Sequence, residues 1–147
     1  MSARKKVHAV GFWSEHLDSY GSIHPALVID PTWEVADREK IIRYLKDGFR
    51  CGGMLCWHKF RLHGHDGERL TSEERSDGVW IWPEVLALYV EMNVRLPEAF
   101  VNHMRAVHFD PHSSGHTREE IMRMERCPHY WNGWCGIEKQ RAESEPA

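Results

Sequence analysis

The sequence predicts a small α+β domain in which a small antiparallel β-meander packs against three to four short α-helices. Short alternating and β-branched segments over about residues 49–82 are typical of strands. Apolar residues at helical spacing recur on both sides of that region. A chain of 147 residues that is 41% hydrophobic and 28% charged suits one globular domain. We expect this domain to span residues 1–137, followed by a flexible polar tail at 138–147.

Overall composition narrows the class of protein. The net charge of −3 provides no basic field, so a nucleic-acid partner is not expected. No apolar run approaches the ~20 residues that a transmembrane helix needs, and the first residues contain no signal-peptide core. We therefore expect a cytoplasmic protein whose four cysteines are reduced thiols. The composition does not define an oligomeric state.

The first part of the meander is predicted over residues 49–62. Toward its end a mostly apolar set alternates with Lys59 and Arg61, which places those two side chains on the outer face of a strand. A glycine pair at 52–53 permits a bulge or a turn, so this region can hold two strands. The Asp-Gly dipeptide at 66–67 is typical of a two-residue hairpin turn, which predicts a short return strand after it.

Residues 77–90 predict a turn, a strand and a helix in direct succession. Asp77 and Gly78 form a turn dipeptide, and residues 79–82 alternate β-branched with tryptophan side chains. Both faces of that strand can therefore be covered. Pro83 cannot continue a strand ladder but suits the first turn of a helix. We expect the rest of the domain to pack on this strand-to-helix corner.

Four helices are predicted, over about residues 33–46, 83–92, 97–107 and 117–126. The last has the clearest start, because Thr117 and Glu120 have the spacing of a capping box. Residues 7–13 are predicted to form a short strand. The aromatic segment 129–137 is expected to fold back onto the body of the domain.

A metal site is the first candidate for chemistry. Cys51, Cys56, His58, His63 and His65 place five possible zinc ligands within fifteen residues. Zinc needs four ligands, usually from paired short spacings, and the two histidines at 63 and 65 are too close for the usual form. We therefore favour the interpretation that Cys56 is a small buried apolar residue and the histidines belong to a turn. A structural zinc module, or a metal-dependent or Cys/His enzyme at this cluster, is the alternative.

A second group of histidines recurs at positions 108, 112 and 116. Histidines four apart share a helical face, but Pro111 and Gly115 argue against a helix here. We interpret the segment as a solvated loop. Because the chain contains no nucleotide-binding, hydrolase or metalloprotease motif, no catalytic residue is assigned and enzymatic activity stays an open question.

Aromatic side chains provide the third candidate, a binding surface. The chain has seven tryptophans, and those at 57, 80 or 82, 131 and 134 cannot all be buried in so small a domain. Tryptophan and arginine are common anchors of protein interfaces. We predict a binding patch formed by Trp57, Lys59, Arg61 and His63. The predicted function is a cytoplasmic protein-binding domain, with an immunity- or defence-type partner protein as one specific form.

Two segments, residues 77–90 and 94–101, together have the pattern DGxWxWPExLxxYV…VRLPExFV. This pattern resembles a signature of small uncharacterised bacterial proteins, in which an upstream Tyr-Leu-x-x-Gly element is similar to residues 44–48 here. The resemblance covers about half of the chain and implies a shared fold, but it brings no established activity. Sequences of this kind often have histidines at two positions where this chain has Leu88 and Asn93. Any chemistry carried by those histidines is therefore not expected in this protein.

Overall fold

The computed structural model describes residues 5–13, 23, 25–33, 36–52, 57–59, 69–71 and 73–144, with backbone alone at 57–59 and 69–71. Its strands are β1 (Lys6–Ala9), β2 (Phe49–Arg50), β3 (Trp57–Lys59), β4 (Arg69–Thr71), β5 (Glu74–Ser76), β6 (Trp80–Pro83) and β7 (Glu125–Cys127). Its helices are α1 (Arg38–Asp47), α2 (Leu86–Glu91), α3 (Glu98–Ala106), α4 (Arg118–Met122) and α5 (His129–Ser144). A 3-10 turn covers Pro25–Val28. This architecture confirms the α+β class.

A five-stranded mixed sheet forms the centre of the molecule, in the order β2-β5-β6-β1-β7. The β2/β5 and β5/β6 pairs are antiparallel, but β2 skips the next two strands of the predicted meander to reach β5. The β1 strand instead pairs in parallel with both β6 and β7. A separate antiparallel pair, β3 and β4, has Trp57 opposite Thr71, which confirms the predicted return strand. A short turn joins β5 to β6, whereas the β2/β5 pair and the two parallel pairs join segments that are distant in sequence.

The strand-to-helix corner differs in detail from its prediction. Pro83 was expected to begin a helix, but it is the last residue of β6 and lies opposite Glu74. The chain pairs once more, with Glu84 N donating to the carbonyl of Glu73 at 2.8 Å, and α2 begins only at Leu86. Proline has no N–H to donate to a neighbouring strand, and at the end of a strand this donor is not required.

The fourth predicted helix is present but shorter than expected. Both bonds of its capping box form, with Glu120 N donating to Thr117 Oγ1 at 3.1 Å and Thr117 N donating to Glu120 Oε1 at 3.0 Å. The helix ends at Met122, and residues 125–127 become β7 on the free edge of β1. Local pattern could not show this, because the partner strand lies near the other end of the chain.

Residues 138–144 were expected to be a flexible polar tail, but they form the last turns of α5. Glu138 is the clearest departure, since its side chain is only 5% exposed. A buried carboxylate is tolerated where a cation compensates it, and Arg95 provides that charge. The chain thus has five α-helices within its described residues, one more than the largest number predicted.

Both faces of the sheet are covered, as the alternating residues of β6 predicted. Trp80 and Trp82 belong to the larger core, where α1, α2, α3 and α5 pack. Ile81 points to a smaller core on the opposite face. Trp82 is fully buried, its Nε1 donates to the carbonyl of Leu45 at 3.0 Å, and its ring stacks on Tyr44. These contacts hold α1 against the sheet. The surface described next is formed by α3 and α5.

Candidate functional site

A groove of about 470 Å³ lies between α3 and α5. A depression of about 270 Å³ adjoins it and shares Arg95, Glu138 and Arg141 with it. We name the two together the α3–α5 face, formed chiefly by Leu27, Ile29, Asp30, Trp33, Arg95, Glu98, Val101, Arg105, Tyr130, Trp134, Ile137, Glu138 and Arg141.

The orientation of α5 is set by its buried side. Trp131 is fully buried, donates from Nε1 to the carbonyl of Phe12 at 3.1 Å, and meets the ring of Trp13 edge-on. Cys135, one turn later, is buried as well. Residues three and four apart lie on one side of a helix. A neighbouring stripe of α5, at positions 130, 134, 137 and 141, therefore lines the groove.

Exposed apolar side chains concentrate on this face. Within the described residues, the large apolar side chains that are exposed are Leu27 (48%), Ile29 (40%), Met122 (50%), Tyr130 (37%) and Ile137 (59%). All of them except Met122 belong to the α3–α5 face. Scattered exposed apolar residues are normal on any protein, but a cluster rimmed by polar groups marks an interaction site.

The floor of the face is an ion-pair network centred on Glu138. Arg95 donates two parallel hydrogen bonds to this carboxylate, Nη1 to Oε1 at 3.1 Å and Nη2 to Oε2 at 2.7 Å. Arg141 adds a third bond, from Nη1 to Oε1 at 3.2 Å. The hydrogen bond with Glu138 raises the pKa of Arg95 above its usual value. Because Arg95 and Arg141 pair with the buried carboxylate, it does not need an outside ligand to compensate its charge.

The charges on the face balance one another. Arg105 is paired with Asp37, with Nε 3.3 Å from Oδ2. Asp30 accepts hydrogen bonds from the hydroxyl and the amide of Thr32, and these bonds hold the pKa of its carboxyl below the usual range. The face contains three arginines (95, 105 and 141) and three acids (30, 98 and 138). Its formal charge is therefore zero, and neither sign dominates.

The binding patch predicted on the strand at 57–63 lies mostly outside the described residues. Trp57 and Lys59 are in β3, where the structure describes their backbone only, and Arg61 and His63 lie outside the described ranges. The patch therefore stays a prediction. Of the other tryptophans considered for exposure, those at 80, 82 and 131 are buried. Trp134 is half-buried and lines the groove.

The predicted zinc cluster also falls largely outside the described residues. Cys56, His63 and His65 lie beyond them, and His58 is described by its backbone alone. Cys51 is buried, and this burial raises the pKa of its thiol to about 11, which favours the uncharged form. Within the described part of the chain, no three His, Cys, Asp or Glu side chains come together as a metal site. The zinc hypothesis stays a prediction, and metal analysis of untagged protein tests it.

The histidine-rich loop at 108–116 packs against the rest of the protein. His112 Nε2 lies 2.8 Å from the carbonyl oxygen of Asp47, and its ring meets Phe49 edge-on. These contacts join the loop to the end of α1 and to β2. For His112 they indicate a structural role rather than a ligand role.

Asp77 is the centre of a polar cluster that its sequence pattern only partly revealed. Its Oδ1 accepts from the backbone amides of Val79 (2.8 Å) and Trp80 (2.6 Å), which confirms the predicted turn. Its Oδ2 accepts from the hydroxyl of Tyr44 and lies 3.2 Å from Nε2 of His103. Burial and the charge of Asp77 raise the pKa of Tyr44 far above its usual range, so the hydroxyl stays protonated. No local signal pairs this aspartate with residues in two different helices.

No protein family, curated protein or solved structure matches this chain. The chain is an α+β protein whose described strands form a five-stranded mixed sheet and a separate two-stranded sheet, and between α3 and α5 it has a face that combines exposed apolar side chains with paired charges. None of the helices in the described ranges combines the length and the apolar character that crossing a membrane requires.

Proposed function

We propose that this protein is a cytoplasmic protein-binding domain whose α3–α5 face binds an amphipathic helix of a protein partner. The observation that carries the proposal is the clustering of exposed apolar side chains: four of the five in the described residues lie on this face. Covering them with a partner removes apolar surface from water, which is the main favourable contribution to protein association.

The shape of the groove favours a helix as the bound segment. Two helices form its walls, and their lining residues recur at steps of three and four: 98, 101 and 105 on α3, and 130, 134, 137 and 141 on α5. An amphipathic helix presents its apolar side chains at the same spacing, so it can place them along such a groove.

The chemistry of the face favours protein over nucleic acid. Trp33, Tyr130 and Trp134 are residue types that anchor protein interfaces, and arginine shares this preference. A nucleic-acid site needs an excess of cations, whereas the charges here sum to zero. Binding should therefore depend on apolar burial and change little with salt concentration.

The proposal includes a partner of the immunity or defence type, and for this reason the candidate partners are proteins encoded by neighbouring genes. The test immobilises three proteins separately: the wild-type protein, Ile137→Asp and Met122→Asp. It then measures how much of each protein encoded by the neighbouring genes they capture. Met122 is the matched control, because it is exposed to a similar degree but lies on α4, away from the face.

Wild-type protein and Met122→Asp should capture the same neighbouring product, and Ile137→Asp should bind it at least about tenfold more weakly. The proposal is wrong if wild-type protein captures none of these products. It is also wrong if both substitutions weaken capture equally, because binding would then not depend on the α3–α5 face.

A further inference from the structure

We infer that, when the protein is alone, its α3–α5 face is covered by α5 of a second copy of the chain, so that two copies form a two-fold homodimer. This inference rests on the proposed function, because it uses the same face and names an occupant for it. The partner of the proposed function would then displace the second copy.

Helix α5 has apolar side chains at the helical spacing that the groove between α3 and α5 can accommodate. Along α5, Tyr130, Trp134 and Ile137 form a partly exposed stripe with steps of four and three residues. Ile137 is the most exposed of the large apolar side chains in the described residues, at 59%. A two-fold contact uses the same patch on both copies, so the stripe of each copy can lie against the groove of the other.

The charges of the face do not oppose contact with a second copy. A face of one sign would repel its own copy, but this face has three arginines and three acids. Within the described residues, Arg141 uses only Nη1 toward Glu138. Glu98, on the opposite wall, forms no ion pair with another described residue. Arg141 of one copy and Glu98 of the other are therefore able to pair across the two-fold axis.

The depression beside the groove adds two exposed apolar side chains to the contact. Leu27 and Ile29 border it and are 48% and 40% exposed. Tyr130 and Ile137 line the groove, which shares the charged residues Arg95, Glu138 and Arg141 with the depression. A second copy that spans both hollows therefore covers two exposed apolar groups at once. A second copy is the one occupant that is present in every preparation of the protein.

The test is the mass of the untagged full-length protein in solution, measured by sedimentation equilibrium from low micromolar to about 100 µM. Wild-type protein should approach twice the 17.3 kDa mass of one chain as its concentration rises. Ile137→Asp should raise the dimer dissociation constant by at least about tenfold, whereas Met122→Asp should leave it unchanged. Ile29→Asp, at the other side of the face, provides a second disruptive variant, and circular dichroism checks that each variant is folded.

A wild-type protein that stays monomeric at about 100 µM overturns the inference. Dimers that survive both Ile137→Asp and Ile29→Asp, or that Met122→Asp disrupts equally, also overturn it. The two proposals fail separately. Monomeric protein that captures a neighbouring product through the face refutes the homodimer alone, while a homodimer that captures no product refutes the proposed partner alone.

Discussion

The imidazole of His103 lies against the buried carboxylate of Asp77, with 3.2 Å between Nε2 and Oδ2. The same oxygen accepts a hydrogen bond from the hydroxyl of Tyr44. One carboxylate therefore connects the turn between β5 and β6 with α1 and with α3. Since α3 is one wall of the α3–α5 face, this cluster helps to hold the proposed binding surface in place.

Replacing Asp77 by Asn should lower the free energy of unfolding by about 2–3 kcal/mol, because two backbone amides and Tyr44 lose a charged acceptor. Tyr44→Phe removes only one of these donors and should cost about 1 kcal/mol. Urea unfolding of both variants measures the difference. An Asp77→Asn variant no less stable than Tyr44→Phe would contradict the central position of the carboxylate.

Alanine substitutions at Gly78 and Gly115 distinguish the cost of backbone strain from the cost of steric crowding. Both have positive φ, +90° and +79°, but a Cβ at Gly78 would lie 2.5 Å from Ser114 Oγ, whereas one at Gly115 meets nothing within 4 Å. Gly115→Ala should therefore cost about 1 kcal/mol from the backbone alone. Gly78→Ala should cost at least about 1 kcal/mol more, measured by urea unfolding. Equal costs would mean that Ser114 moves aside without loss.

The pair formed by Glu74 and Arg126 should behave as a coupled unit. Arg126 donates two hydrogen bonds to this carboxylate, whose side chain is only 5% exposed. Arg126→Met leaves a buried charge without its partner and should cost about 2 kcal/mol or more. Adding Glu74→Gln to Arg126→Met should recover part of that loss. Costs that simply add in a double-mutant cycle would show that the two side chains do not interact.

Cys51 should make stability depend on alkaline pH. Burial raises the pKa of its thiol from 9.0 to about 11, so the folded state binds this proton more tightly than the unfolded state does. Its contribution to stability is therefore complete below pH 9.0 and is lost as the pH rises through about 11. Urea unfolding across this range should show a smaller decline for Cys51→Ala than for wild-type protein. An identical pH dependence would contradict the raised pKa.

Local sequence signals specified the elements whose hydrogen bonds are local. Thr117 and Glu120 are three residues apart and form both bonds of the capping box, so their spacing alone predicted the start of α4. The alternation of Trp80, Ile81 and Trp82 likewise predicted a strand with two covered faces. Pro83 marks the limit of such signals. Its ring is compatible with a strand end and with a helix start, and the neighbouring β5 strand decides between them.

Residues that are close in the chain were enough to predict the α+β class, the β3/β4 pair and the turn at Asp77. The position of β7, the partners of Asp77 and the α3–α5 face depend instead on contacts between segments that are distant in sequence. Arg95 and Glu138 are 43 residues apart, and Trp131 and Phe12 are 119 apart. The region from Glu138 onward was predicted to be a flexible polar tail because it is rich in charged residues. In the folded protein Glu138 is buried and paired with Arg95, which lies in the segment between α2 and α3. The helix that carries Glu138, α5, forms one wall of the surface that we propose as the binding site.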